Sequence, residues 1–328
     1  MQNSNVLVSV VTPVYNGEKY IAECIESVLA QTYTNWEYII LDNCSTDRTG
    51  DIIREYAQKD ERIHIYRNDE LVDVITNHNR AYQKISRESK YCKLLQADDW
   101  MFPDCLNAMV NLAEQHPTIG IVGSYSLVGR KVRNDGLSYS ERVLSGHVIA
   151  KNSLLNMYYL FWSPSSMMIR SDLIRSREPF YNPEYLHADD DSMYILLQHC
   201  DFGFVHQVLT SIRDHEDSLT STLTKPMNRT ILSNLHLLVL HGPTYLSQEE
   251  YKNHYRRRIK TYYGFLAANA LELRGEKFWD YHKDWLNRFG FQFNRAELIK
   301  AIIYRVIKHP KQSMGKISRA LLAGRINK

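Results

Sequence analysis

Over the first 125 positions, short β-branched apolar runs alternate with stretches whose apolar residues recur every three or four places. Val6-Leu7-Val8-Ser9-Val10-Val11 reads as a buried strand that Pro13 halts. After Gly17, apolar Tyr20, Ile21, Cys24, Ile25, Val28 and Leu29 keep helical spacing, with Glu18, Glu23 and Glu26 on the other face. Trp36 to Leu41 is the second expected strand, and it closes at Asp42. Ser45-Thr46-Asp47 then supplies caps for a helix carrying Ile52, Ile53, Tyr56 and Ala57. Ile63 to Tyr66 is a third strand, Asn79 to Ser86 a helix, and Tyr91 to Gln96 a fourth strand stopping at Asp98-Asp99. A helix after Pro103 and a fifth strand, Ile119 to Gly123, complete the series.

Alternating strands and helices predict an α/β fold with a Rossmann-like, mainly parallel sheet flanked by helices. In such sheets ligands collect outside the carboxyl ends of the strands. The polar clusters fall at those ends: Thr12 to Asn16, Asp42 to Asp47, and Asp98-Asp99. From about residue 225 strand signals fade and helical periodicities rich in Tyr, His, Arg and Lys take over. The expected organisation is a catalytic domain over 1–224 and a mostly helical, basic region over 225–328, with Lys225-Pro226 at the boundary.

Charge sharpens that division. The net +3 combines 20 basic and 30 acidic residues before position 225 with 20 basic and 7 acidic ones after it. The two parts therefore carry about −10 and +13, which suits different partners. An apolar content of 44% with 23% charged residues argues against wholesale disorder. No run of about 18 apolar residues predicts a spanning helix. The N-terminal stretch reads as carrying no secretory signal. Five cysteines without a C-x-x-C pair suit reduced thiols in the cytosol and no zinc knot.

Three clusters could carry chemistry. Asp98-Asp99 after an apolar strand could hold a hard divalent ion that also touches phosphate oxygens, or could be a solvated turn or helix cap. His187-Ala188-Asp189-Asp190-Asp191 precedes an apolar helix, where carboxylates complement the dipole; one of the three could instead act as a general base. Arg213-Asp214-His215 offers an imidazole that either packs or completes a metal site.

Taken in order, these segments resemble an inverting glycosyltransferase of family 2, of the bacterial surface-polysaccharide type, with the fold called GT-A. The resemblance covers residues 6–217 or so, and its matching stretches are VSVVTPVYNGEKYIAECIESVLAQTY, WEYIILDNCSTDRTGDII, YCKLLQADDWMFPDCL, SSMMIRSDLI, HADDDSMYILL and IRDHEDSLTS. The resemblance implies a UDP-sugar donor whose nucleoside pocket is lined by Thr12, Pro13, Val14, Tyr15 and Asn16, with the Tyr15 ring near uracil. Asp42 would accept a hydrogen bond from the base, and Asn79 and Arg80 lie near the family's donor-side Asn and basic residues. The family's Asp-Asp-Gly-Ser-Thr-Asp stands here as Asp42-Asn43-Cys44-Ser45-Thr46-Asp47, so the loop lacks its Gly. Its Asp-x-Asp metal motif aligns with Gln96-Ala97-Asp98-Asp99. An amide therefore replaces the first carboxylate, Asp98 inherits the metal, and Asp99 supports it or contacts the donor sugar. His215 matches a further ligand for Mn2+ or Mg2+. Asp189 is the implied base, ahead of Asp191 and Asp190. Trp100, Trp162, Ser163 and Ser166 either line sugar rings or pack.

The implied reaction moves a sugar to a hydroxyl of a growing or lipid-linked glycan. Its rivals are a non-catalytic nucleotide-sugar scaffold, suggested by Gln96 and Asn43, and a metal-dependent hydrolase. In the C-terminal region, Leu298, Ile299, Ile302, Ile303, Val306 and Ile307 form an apolar stripe. From Arg288 onward 10 basic residues face the single acid Glu297. Such helices suit an anionic membrane surface, placing a cytoplasmic protein at the inner face of the membrane. The alternatives are packing on the catalytic domain or on a second copy in a homo-oligomer. No nucleic-acid recognition motif accompanies the charge.

Overall fold

The computed structural model describes residues 6–161, 163–185, 187–214, 227, 229–316 and 318. The chain divides into two compact units, Met1–Asp214 and His215–Lys328.

The first unit begins as the pattern of apolar runs predicts. Strand β1 (Val8–Val14) is followed by α1 (Ile21–Leu29), β2 (Trp36–Asp42), α2 (Thr49–Ala57) and β3 (Ile63–Arg67). Then come α3 (Val74–Tyr82), β4 (Tyr91–Leu94), β5 (Trp100–Met101), α4 (Cys105–Gln115) and β6 (Ile119–Val128). Every residue of β1 is buried, as befits a central parallel strand covered on both faces. The strand runs through Pro13 instead of stopping there. Val14 turns its carbonyl to β2, accepting the Asn43 N–H, so Pro13 turns toward β4, whose pairing with β1 has already ended at Val11. The missing N–H thus falls where no ladder needs it. Helix α3 starts five residues before its expected beginning, because the Asp73 carboxylate accepts from the Thr76 N–H and caps it.

The second half of the sheet was less legible. It contains β7 (Lys131–Arg133), β8 (Val143–Leu144), β9 (Met167–Arg170) and β10 (Asp201–Ile212), with α5 (Gly146–Leu154), α6 (Ser171–Arg175), α7 (Ala188–Leu196) and a 3-10 turn at Pro164–Ser166. The main order is β3-β2-β1-β4-β9-β6-β10-β5. The first four strands are parallel, and β10 is parallel to β6. Strand β9 lies antiparallel between β4 and β6, so the sheet is mixed from there on. Register shifts at Val205/Val208 and Val208/Thr210 interrupt the two-residue period of β10 and hide it from pattern reading.

Strand order reverses between β1 and β4, which opens a crevice at their carboxyl ends. One buried side chain pins that place. The Thr12 hydroxyl donates to the Leu95 carbonyl at 2.8 Å, and its oxygen accepts from Tyr38 at 2.9 Å, joining β1 to the chain after β4 and to β2. Thr12 is wholly buried, so its expected contact with a donor is replaced by this positioning role.

The second unit is helical, as expected: α8 (Arg229–Tyr245), α9 (Gln248–Leu271), α10 (Glu276–Arg288) and α11 (Arg295–Lys308). A capping box between Ser247 and Glu250 starts α9. His282 sits among Tyr262, Phe265 and Phe278, with burial lowering its pKa to about 4. It is therefore a neutral core imidazole at ordinary pH. Among the described residues no helix is long and apolar enough to cross a membrane.

Replacing Thr12 by the similarly shaped Val would leave the Leu95 carbonyl and the Tyr38 hydroxyl short of a partner. The expected loss is about 1–3 kcal/mol of stability, read from urea unfolding midpoints. A change within a few tenths would show that the pin is dispensable.

Candidate active site at the strand ends

The loops after β1 and β2 are stitched together. Asn16 takes the left-handed conformation, with φ of 48°. Its N–H donates to the Ser45 hydroxyl, and its amide oxygen accepts from the Thr46 N–H, both at 2.9 Å. Gly17 N–H reaches the Thr49 hydroxyl at 2.8 Å, and Glu18 N–H reaches Asp47 at 3.0 Å. Asp47 also accepts from the Thr49 N–H, but the cap position of α2 falls on Arg48, whose side chain makes no capping bond, so none of the three expected residues is the cap itself. Pro13 and Val14 are buried within the strand, while Tyr15 is 47% exposed at the crevice.

Asp42 lies beneath these loops, 1% exposed. It accepts from the Ser45 N–H at 2.9 Å and is paired with Arg67, which also reaches the Ser45 carbonyl at 3.1 Å. A hydrogen bond from a base would be a third on a carboxylate with room for about four. Arg67, at the end of β3, was not foreseen. The departure at Asn43 has a structural account. Its amide donates to the Val72 carbonyl and accepts from Asn68 and the Val72 N–H, and Asn68 continues to Asn77. Cys44 keeps the backbone shape that a Gly would provide, with φ of 60°, and its thiol donates to the Asn68 carbonyl at 2.9 Å. The loop survives without its Gly.

Gln96 to Asp99 form a turn closed by the Asp99 N–H on the Gln96 carbonyl at 3.0 Å. Asp98 is half-buried and Asp99 is buried. One Asp99 oxygen accepts from the Ser165 hydroxyl at 2.6 Å, the other from the Arg213 N–H at 3.0 Å. Burial first, and then the Asp98 charge, pushes the Asp99 carboxyl up to about 7. Asp99 thus supports the turn, and Asp98 is the more accessible oxygen donor. Arg213 reaches the Asp98 carbonyl at 3.1 Å, pairs with Glu23 and lies over the Tyr20 ring, clamping the turn to α1.

Ser165 is the hub below. Its hydroxyl accepts from the Gln96 N–H at 3.0 Å, and its carbonyl takes Thr210 and the wholly buried Lys93 ammonium. Burial lowers the Lys93 pKa. A lysine in an otherwise apolar strand was the one sequence signal for this network.

The Gln96 side chain meets His78, another residue the sequence did not single out. Nδ1 of His78 lies 2.7 Å from the Val74 carbonyl, which can only accept, so Nδ1 carries the proton. Nε2 then accepts from the Gln96 amide nitrogen at 3.1 Å, which turns the Gln96 oxygen away from His78. Burial lowers the His78 pKa and keeps the ring neutral.

Other expectations are redirected. Asn79 does not present its amide to a donor, because both ends pair with the Tyr181 backbone at 2.8 Å. Arg80 is held by the Asn68 amide oxygen at 3.1 Å. Ser163 and Ser166 are buried within the 3-10 turn and bonded to one another, so they pack and do not line sugar rings. Half-buried Trp100 packs on Phe102, with ring centroids 4.6 Å apart. Trp162 and His215 lie outside the described residues.

The three aspartates at the start of α7 differ sharply. Asp191 is 1% exposed, and Asp190, at 5%, accepts from Tyr159 at 2.6 Å and lies 3.6 Å from His187. Asp189 remains partly exposed. Burial first, then Asp190, raises its carboxyl to about 6, while His187 acts in the opposite sense. His187, Asp189 and Asp190 bring one oxygen or nitrogen each within 4.8 Å of one another. Asp189 is close enough to Tyr181 to raise that phenol's pKa further after burial, and Tyr181 lies 6.1 Å, ring to ring, from His78.

Comparison with known proteins identifies the family and the fold that carry these residues. The profile of a family described as Glycosyl transferase family 2 matches residues 9–193. The putative teichuronic acid biosynthesis glycosyltransferase TuaG of Bacillus subtilis is 35% identical over 130 residues, 40% of this chain and 51% of that protein. An uncharacterized glycosyltransferase of Haemophilus influenzae is 30% identical over 189 residues, 56% of this chain and 58% of its own length. The chain therefore spans about half the length of these relatives. Among solved structures, S. aureus TarS 1–349 in complex with UDP-GlcNAc superposes with a TM-score of 0.65 at 14% identity, covering 98% of this chain and 93% of that one. The mannosyltransferase PcManGT from Pyrobaculum calidifontis, in complex with GDP-Man and Mn2+, gives 0.52 at 13% identity, covering 97% and 86%. At these identities the likeness is one of fold, and the fold is GT-A.

Position 44 offers a direct test of the loop. Cys44→Gly relaxes a left-handed backbone and should leave stability unchanged or raise it by up to about 1 kcal/mol. Cys44→Val should cost about 1–2 kcal/mol, because a β-branched residue resists positive φ. Thermal denaturation separates the two, and equal midpoints would contradict the strained geometry.

Proposed function

The chain belongs to glycosyl transferase family 2, and from that premise we propose that it transfers a sugar from a UDP-sugar to a hydroxyl of a growing or lipid-linked glycan, with inversion. The observation that carries this reading is the convergence of three strand-end segments at the switch point: Pro13 to Asn16, Asp42 to Asp47, and Gln96 to Asp99. Tyr15 offers an exposed ring for the base, and Asp42 with Arg67 forms the polar floor beneath it. Gln96, its amide oriented by His78, presents an oxygen to a ribose or sugar hydroxyl. The acceptor class draws on relatives such as TuaG, whose name assigns it to teichuronic acid biosynthesis.

A divalent ion fits the donor chemistry, because hard cations take oxygen ligands and Asp98 presents a carboxylate on a turn already braced by Asp99 and Arg213. Asp98, with His215, would hold Mn2+ or Mg2+. When bound, the ion would supply positive charge to the departing diphosphate.

Asp189 is the general base in this scheme. It takes the proton of the acceptor hydroxyl while that oxygen bonds to the anomeric carbon from the side opposite UDP. The bond to the diphosphate oxygen breaks, and UDP leaves with the electron pair. Asp189 is favoured over its neighbours because Asp190 is held by Tyr159 and Asp191 is buried. The protein's place in this reading is the inner face of the cell membrane. Nothing favours the scaffold reading: the Asn43 departure is an internal amide network, and Gln96 keeps a hydrogen-bonding oxygen.

UDP release measured with and without acceptor, and with Mn2+, Mg2+ or chelator, tests the activity as a whole. Acceptor-independent cleavage as the dominant activity would replace transfer by hydrolysis. Asp98→Ala should abolish the metal dependence of donor binding, and unchanged UDP affinity in Mn2+ would remove Asp98 from the metal. Asp189→Asn should retain donor affinity while transfer falls by about 10²–10⁴. The wild-type rate should decline as pH falls through about 6, because a protonated carboxyl cannot take the acceptor's proton. A rate that is level down to pH 4 would move the base elsewhere.

A further inference from the structure

The apolar stripe of α11 divides into two halves with different fates. Leu298 and Ile302 are half-buried on the side where α11 packs along α9. Ile299, Ile303, Val306 and Ile307 are 57%, 53%, 40% and 75% exposed. At 100° per residue these four fall within an arc of roughly 100° on the helix surface. Helix α11 buries none of its residues fully. Four exposed branched aliphatics in one stripe cost free energy in water unless something covers them.

The charge around the stripe has one dominant sign. Lys300 borders it, 70% exposed at its side chain and paired only at the surface with Glu297. Arg295, exposed, borders the other edge, whereas Lys308 lies on the far side of the helix near Tyr304, whose ring also faces Lys260 of α9. Met314 follows, 69% exposed, in a tail where 10 basic residues oppose one acid from Arg288 on. Lysine stems can lie along an apolar surface while their ammonium groups reach a polar layer above it.

We infer that the Ile299–Ile303–Val306–Ile307 face of α11 docks on an anionic lipid surface, with the aliphatic side chains in the headgroup–acyl boundary and the bordering Arg295 and Lys300 on lipid phosphates. A second copy of the chain suits the face less well. A two-fold contact would set the same surface against itself and bring like-charged basic flanks together, whereas stable interfaces deplete charge at their centre. The inference rests on the reading above only in its choice of membrane. Vesicle binding is measured without donor or acceptor, so either can fail while the other stands.

The full chain is sedimented with vesicles of equimolar phosphatidylglycerol and phosphatidylcholine, and with phosphatidylcholine alone, at low and high salt. Binding is expected to the anionic vesicles and to weaken with salt. Ile303→Asn with Ile307→Asn, and separately Arg295→Glu with Lys300→Glu, should each lower the partition about tenfold or more. Unchanged circular dichroism and melting establish that both variants fold. Equal binding to the two lipid compositions, or undiminished binding by both variants, overturns the inference. So does light scattering in which the isoleucine pair converts a dimer to a monomer while vesicle binding persists, since the face would then be an interface between copies.

Discussion

A reversal of strand order sends the loops on its two sides in opposite directions, and the crevice between them is useful only if its rims are held in register. Here the register depends on a buried hydroxyl. Thr12 lies on β1, takes its acceptor from the chain after β4 and its donor from Tyr38 on β2. The three strand ends that carry the candidate site are thereby fixed to one another from below. Above them, Asn16, Ser45, Thr46 and Asp47 repeat the connection on the crevice side. Polar groups buried this deeply are costly unless satisfied, so their satisfaction makes the arrangement rigid.

The same logic governs the acidic turn. Two adjacent carboxylates repel each other, and burying one of them raises its proton affinity. The fold compensates with donors fixed in place: Ser165, the Arg213 backbone and, one carbonyl removed, the Lys93 ammonium. Asp98 is left as the more accessible oxygen donor of the pair. At α7 the outcome is complementary. Asp190 and Asp191 are drawn into the protein, and Asp189 stays partly exposed with a carboxyl poised near 6. Adjacent aspartates with different surroundings can take different tasks.

The second unit holds half of the basic residues but few of the acidic ones, and its architecture explains why one stripe could be read two ways. An amphipathic helix with a wide apolar face can use part of it for packing and leave part exposed. Helix α11 does this, with Leu298 and Ile302 turned toward α9 and Ile299, Ile303 and Ile307 in solvent.

The first four strands, their helices and the strand-end positions of Asp42 and Asp98 could be read from the sequence, because buried parallel strands are continuous apolar runs and their ends are punctuated by polar residues. The antiparallel β9 and bulged β10 could not, since pairing between distant segments leaves no local period. Site residues divide in the same way. Asp98 and Asp189 announce themselves as clustered carboxylates, whereas the left-handed turn at Cys44 goes unmarked, because the loop lacks the Gly that would signal it. Thr12 and Asn79 were expected near ligand from the resemblance, and Ser163 and Ser166 either there or packed. Only the tertiary structure reveals that their hydrogen bonds are spent on the protein itself. His78, Ser165 and Arg213 act through partners 18 to 115 positions away. Sequence alone determined which chemical groups this chain brings to its strand ends, because local pattern dictates the elements that carry them. Which of those groups remain available, and which are consumed in holding the others, was decided by contacts that exist only once the chain has folded.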